Sequence, residues 1–368
     1  MKKIGVITWF RYENYGTVLQ AVALQEYLKS QKVLPSLIET PKIEVSRRKK
    51  KRSVGFRIKR KLSLKYILLK YGKYLKVRTQ RFHNAIYGKY DIQPVKDNFS
   101  DTCNKFDLLI CGSDQIWNPD WFNDYYFANF PRIVVPKISY APSFGVGKLP
   151  ATLLGSYYNA LKQFKRLSVR EKSSQKEIQE TLGINCSMVV DPVLLVSNNK
   201  WLSLIKQETV KDEGYAFCYL LGENNNHWKA VQLYAKNHNL KLKIIPMQPN
   251  SFLKRGKKIY DAGPSDFLKS IANASIIFTD SFHASVFSII FHKPFYVFER
   301  TPKGKKGSQN SRIYNLLKVT GLEQRLISYG SRKVGERGNV NYYHVFDKLD
   351  PIIKSSKEYL NNAISENI

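Results

Sequence analysis

The chain has 368 residues, 43% hydrophobic and 13% aromatic, with a formal net charge of +31. This length exceeds what one hydrophobic core organises and favours two domains, and the apolar content excludes a mainly disordered chain. No stretch reaches the roughly 18 uninterrupted apolar residues of a spanning helix, and the N-terminus lacks a signal-peptide cleavage pattern, so a cytoplasmic protein is expected.

Residues 3–8 form a short apolar run that suits a buried parallel strand. The polar turn Asn14-Tyr15-Gly16 follows, and then Val18, Leu19, Val22, Ala23 and Leu28 recur at helical spacing. Strand, glycine-containing turn and helix together open an α/β domain. Residues 41–90 come next and carry eighteen Lys or Arg against one acid, Glu44. Over residues 56–82 the apolar positions alternate with cations, which predicts one or two basic amphipathic helices. Two readings of this stretch stand side by side. One is a solvated helical face with snorkelling Lys stems. The other is a tether over residues 46–81 to an anionic membrane surface, peripheral at the inner face of the cytoplasmic membrane. No nucleic-acid module is recognisable, so no specific nucleic-acid partner is expected.

Residues 107–112 and 137–140 read as strands, 153–164 as a helix, 166–169 as a strand and 173–182 as a helix. Residues 188–195 read as a strand interrupted by Asp191-Pro192. The polar residues 198–213 are expected to link two domains. Residues 215–221 start a second α/β run, with a helix over 225–238 and a strand over 242–247. A helix capped by Ser265 follows, then a strand over 275–279, a helix over 282–291 and a strand over 294–298. Residues 343–363 read as a C-terminal helix able to pack back across the interface. Cys103, Cys111, Cys186 and Cys218 form no C-x-x-C pair, and no His cluster has ligand spacing. Reduced thiols and no metal site are expected.

The expected architecture is α/β, with two Rossmann-like domains facing a cleft. They span residues 1–200, with the basic helical insertion at 41–90, and 213–335. The C-terminal helix lies within 340–368. Ligands in such folds bind beyond the carboxyl ends of the strands, so the polar residues there are the candidates. They are Asn14, Tyr15 and Gly16; Ser113, Asp114, Gln115 and Trp117; Arg170 and Glu171; Asp280, Ser281 and His283; and Glu299 and Arg300. Each has a bland reading too: Trp117 as packing, Asp114 as a loop cap, Arg170–Glu171 as a surface ion pair, and His283 as a buried structural histidine.

The segments N-Y-G-T-V-L-Q-A (14–21), G-S-D-Q-I-W-N-P (112–119), S-Y-A-P-S-F-G (139–145), S-V-R-E-K-S (168–173), D-P-V-L-L (191–195) and T-D-S-F-H-A-S (279–285) fall in order along the chain. This series resembles the motifs of the polysaccharide pyruvyl transferases. The resemblance implies a GT-B-like fold with phosphoenolpyruvate as donor substrate and no further cofactor. It also implies a ketal-pyruvyl product on a sugar of a cell-surface polysaccharide precursor, with the acceptor lipid-linked. By motif position it makes Arg170 and His283 the catalytic or donor-binding residues. Many relatives carry Arg two residues before the motif His, where this chain has Ser281. Arg300 and Arg312 are the candidates to replace that cation. An Arg fork suits both the phosphate and the carboxylate of such a donor. His283 could serve as general acid or base, or as a donor to the leaving phosphate. The competing readings are a nucleotide-sugar glycosyltransferase on the same architecture and a basic polyanion- or membrane-binding scaffold.

Overall fold

The computed structural model describes residues 1–41, 54–95, 98–304 and 310–368, and of residues 54–61 the backbone alone. The basic residues 47–52 lie outside the described residues.

The first lobe is built on a five-stranded parallel sheet. Strands β1 (Lys3–Ile7), β2 (Leu34–Ile38), β3 (Asp91–Gln93), β4 (Leu108–Cys111) and β5 (Lys137–Ser139) run in the order β3-β2-β1-β4-β5. Ile4, Val6, Leu108, Leu109 and Ile110 are fully buried, as strands covered on both faces must be. The covering helices are α1 (Tyr15–Ser30), α2 (Val54–Asn84), α3 (Phe99–Cys103), α4 (Leu154–Leu161) and α5 (Lys172–Leu182). A parallel pair, β6 (Ser168–Val169) and β7 (Ser187–Met188), extends this lobe beside β5, where Ser168 N donates to Ser139 Oγ at 2.8 Å.

Helix α6 (Asn198–Leu204) leads into the second lobe. Its strands are β8 (Tyr215–Tyr219), β9 (Lys241–Ile244), β10 (Lys257–Lys258), β11 (Ile276–Thr279), β12 (Phe295–Phe298) and β13 (Leu326–Ile327). They form one parallel sheet in the order β10-β9-β8-β11-β12-β13. Helices α7 (Asn225–Asn237), α8 (Pro264–Ala272), α9 (Phe282–Ile290) and α10 (Ser311–Thr320) accompany it, and α11 (Tyr342–Ser365) closes the chain. In each sheet the strand order reverses next to its first strand, between β1 and β4 and between β8 and β11. Such reversal points leave a crevice at the strand ends.

Residues 198–213, read as a polar linker, contain α6, and its Trp201 is fully buried against Phe287 of α9 at 5.0 Å between rings. Burying one indole outweighs the polar composition around it. The lobes meet through an aromatic core. Tyr15 stacks on Phe267 at 4.6 Å and donates its hydroxyl to Ala262 O at 2.7 Å. Helix α11 touches both lobes. Tyr342 donates to Lys293 O in the second, while Tyr359 donates to Ser139 O at 3.1 Å and Ser356 Oγ accepts from Val190 N at 3.0 Å in the first.

Candidate active site

The site forms where the turns after β1, β6, β7 and β11 converge. Asn14 caps α1 by accepting from Thr17 N at 3.3 Å, which sets Gly16 in the first helical turn. Ser281 caps α9 by accepting from Ala284 N at 3.4 Å, which sets His283 in the first turn of the facing helix. The two turns touch. A Cβ at Gly16 would overlap Nδ1, Cγ and Cε1 of His283, so only glycine lets the imidazole sit this close to α1. Gly16→Ala is therefore expected to displace His283 and lower kcat at least ~10²-fold through misplacement alone, with the far-ultraviolet circular dichroism spectrum unchanged.

Asp191 joins the parts. Its Oδ1 accepts from Val193 N at 3.1 Å, which starts the turn after β7. Its Oδ2 lies 3.3 Å from His283 Nε2 and accepts from Arg170 Nη1. Arg170 also donates Nε to Glu171 Oε1 at 3.0 Å, while its Nη2 has no hydrogen-bond partner among the described residues. The Arg170 guanidinium lies 4.6 Å from the centre of the Phe282 ring, and that of Arg312 lies 5.9 Å from the same ring. With its amide oriented by hydrogen bonding, Gln115 accepts from both terminal nitrogens of Arg312 at 3.2 Å. Asp114 accepts from Thr17 Oγ1 at 2.6 Å and from Gln115 N at 2.9 Å. Arg170, Asp191, His283, Arg312 and Asp114 are all buried.

Burial alone would raise the Asp191 carboxyl, but the nearby His283 and Arg170, with a hydrogen bond from Val193 N, hold it well below the usual carboxylate range. Burial alone would likewise lower Arg170, and Glu171, Asp191 and Asp114 reverse that and push it up. Arg312 goes the other way. Burial and the neighbouring Arg170 pull it down to about 10, still protonated at neutral pH. The depressed Asp191 has a sign-definite consequence. It adds stability above its unfolded pKa of about 4, and loses it as the pH falls through the lower folded value. Acid unfolding followed by circular dichroism should therefore be less steep below about pH 4 in Asp191→Asn than in the wild type.

Of the residues expected from sequence, the fold brings together Gly16, Asp114, Gln115, Arg170, Glu171, Ser281, His283 and Arg312. The Arg170–Glu171 pair is buried, not on the surface. Arg300 is half-buried at the end of β12, where its Nη2 donates to Asp280 O at 2.7 Å. Asn14 is exposed beside α1. Three expectations need correction. Trp117, expected as a candidate binding residue, is packing: it is 0% exposed, stacks on Phe127 at 5.1 Å and donates Nε1 to Tyr126 O at 3.0 Å. Tyr15 is a lobe-joining side chain with its hydroxyl spent on Ala262. Ser113 donates its hydroxyl to Ala141 O at 2.8 Å and holds the turn after β4. Trp117→Ala should accordingly cost about 3–5 kcal/mol in chemical denaturation, as for a core tryptophan. Asp191 and Thr17 were missed as site residues. The Asp-Pro step reads as a strand breaker, and its second role appears only when α9 is packed beside it.

A cavity of about 40 Å³ is lined by Arg170, Glu171, Asp191, Phe282, Arg312 and hydrophobic residues of α10 and α11. It has room for a few water molecules. Among the described residues no group of three or more His, Cys, Asp or Glu could hold a metal ion.

Two parallel α/β lobes with polar turns closing on a buried arginine–aspartate–histidine cluster define a two-domain protein of the GT-B class. Solved structures of that fold overlay on the whole chain. The UDP-GlcNAc 2-epimerase of Methanocaldococcus jannaschii in complex with UDP-GlcNAc and UDP is 10% identical, with a TM-score of 0.52 and 100% of each chain covered. The UDP-GlcNAc 2-epimerase of Neisseria meningitidis bound to UDP-GlcNAc is 12% identical, with a TM-score of 0.50 and coverage of 100% of this chain and 99% of that one. At such identities the likeness concerns fold alone. No curated protein sequence matches. The family model for polysaccharide pyruvyl transferase matches residues 14–302, and the chain belongs to that family of transferases.

Proposed function

We propose that the enzyme transfers the enolpyruvyl unit of phosphoenolpyruvate onto two hydroxyls of a sugar in a cell-surface polysaccharide precursor, forming a cyclic pyruvate ketal. The observation that carries this reading is the convergence of Arg170 and His283 on one carboxylate, Asp191, with Arg312 beside them. The donor is a small dianionic phosphoester with a carboxylate. Two guanidinium groups near one ring suit its two anionic groups. The donor is larger than this half-open cavity, so its binding needs the surrounding side chains to shift.

Ketal transfer starts with a proton delivered to the methylene carbon of the donor. His283 supplies it. With Nε2 3.3 Å from Asp191 Oδ2, the ring is oriented, as in other carboxylate–histidine pairs. The oxocarbenium centre that forms at the middle carbon is then attacked by a sugar hydroxyl, which gives its proton to a base. Phosphate departs with the electron pair of its C–O bond, with Arg170 and Arg312 stabilising the charge it carries away. The second hydroxyl attacks the renewed cationic carbon, loses its proton and closes the ring. Asp114, hydrogen-bonded to Thr17 on the opposite lobe from His283, or Glu171 accepts the hydroxyl proton in this reading.

The test is incubation of the purified chain with phosphoenolpyruvate and a panel of glycans, free and lipid-linked, with inorganic phosphate measured. Acceptor-dependent phosphate release supports the reading. Tight binding of a nucleotide sugar, with no phosphate release from phosphoenolpyruvate across the panel, would replace it with a glycosyltransferase.

A further inference from the structure

The mechanism leaves the basic helix α2 unused, and its two faces differ. From Ile67 onward the inner face is buried against the rest of the protein, while Leu64, earlier on that side, is 42% exposed. Ile67, Arg78 and Phe82 are 6%, 4% and 5% exposed. Tyr71 stacks on Tyr260 at 4.3 Å, and Arg78 donates to Pro246 O at 3.1 Å, both partners belonging to the second lobe. Phe82 meets Tyr15 at 4.8 Å, and Thr79 donates to Glu13 at 2.5 Å. The helix therefore lies across both lobes and runs past the turn that opens α1 at the site.

The outer face has no such partner among the described residues. Leu62, Tyr66 and Leu69 are 63%, 47% and 79% exposed, and they share their side of the helix with Lys65, Lys73 and Lys76, also exposed. At 100° per residue these positions lie opposite the buried set. No Asp or Glu occurs anywhere in residues 45–90. Exposed Leu and Tyr side chains interleaved with lysines, on an acid-free helix, match a surface that is apolar beneath an anionic layer. A polyphosphate would engage the lysines but gain nothing from two exposed leucines.

We infer that the outer face of α2 docks on an anionic lipid bilayer, which holds the lobe junction and the turn that opens α1 close to the membrane. This does not depend on the identity of the donor. The lysines supply attraction at distance, and Leu62 and Leu69 enter the headgroup boundary.

The test is cosedimentation of the full chain with vesicles of phosphatidylcholine alone or mixed with phosphatidylglycerol, at low and high salt. The wild type is expected to bind the mixed vesicles, to release at high salt and to ignore pure phosphatidylcholine. Lys65→Gln/Lys73→Gln/Lys76→Gln should bind on the order of a hundred-fold more weakly. Leu62→Gln/Leu69→Gln should also weaken binding, with circular dichroism and turnover of a soluble acceptor unchanged for both variants. Equal binding to both vesicle types, or undiminished binding by the lysine variant, would overturn the inference. So would RNA that binds as tightly as the mixed vesicles and ignores the leucine substitutions, since that pattern describes a polyanion site. A wild-type chain that binds neither vesicle type while still releasing phosphate contradicts the docking surface and leaves the donor reading in place.

Discussion

His283→Gln is expected to lower kcat by about 10²–10⁴-fold, the range typical of removing a positioned proton donor. Glutamine is close in size and can still face Asp191, so the packing of α9 against α1 should survive. The donor KM should move much less than kcat, because Arg170 and Arg312 would still hold the anionic groups. Steady-state phosphate release with a saturating acceptor, beside a thermal melt, separates the two effects. A large rise in donor KM with kcat intact would instead make His283 a phosphate ligand.

Asp191→Asn is expected to fail in two ways. The amide can present its N–H to Nε2, which selects the wrong tautomer, so kcat should again fall by up to about 10⁴-fold. The change also strips Arg170 of one of its two carboxylate partners in a buried setting. Breaking a buried pair by removing one partner costs about 3–5 kcal/mol when nothing else compensates, and the retained Glu171 should keep the loss below that. Denaturant unfolding and single-turnover kinetics on the same preparation measure both. A variant with native stability and native kcat would show that Asp191 is a turn cap and nothing more.

Much of the fold is legible in the sequence because parallel strands are buried on both faces and so read as apolar runs. Expected strands over 107–112, 137–140, 215–221 and 275–279 correspond to Leu108–Cys111, Lys137–Ser139, Tyr215–Tyr219 and Ile276–Thr279. The elements that left no signal are those held by other means. Strand β10 is Lys257–Lys258, whose backbone pairs with β9 while its side chains carry no apolar pattern. Strand β2 begins Leu34-Pro35, and its proline argued against a strand. Residues 198–213 looked like a linker because only Trp201, Leu202 and Ile205 among them are buried.

The site was legible as residue types after strand ends, and the family resemblance singled out Arg170 and His283. What joins them was not. Asp191 caps a turn with one carboxylate oxygen and serves both cations with the other. The close approach of His283 to Gly16 pairs residues 267 positions apart. Arg312 sits on a helix that periodicity did not single out, and its place beside Gln115 exists only once both lobes are assembled.

A crystal structure of the chain soaked with phosphoenolpyruvate alone tests the central proposal most directly. The ligand should lie with its phosphate and carboxylate between Arg170 and Arg312 and its methylene carbon within reach of the His283 ring. Ligand bound away from both Arg170 and His283, or a cleft that admits a nucleotide sugar and not phosphoenolpyruvate, would contradict it.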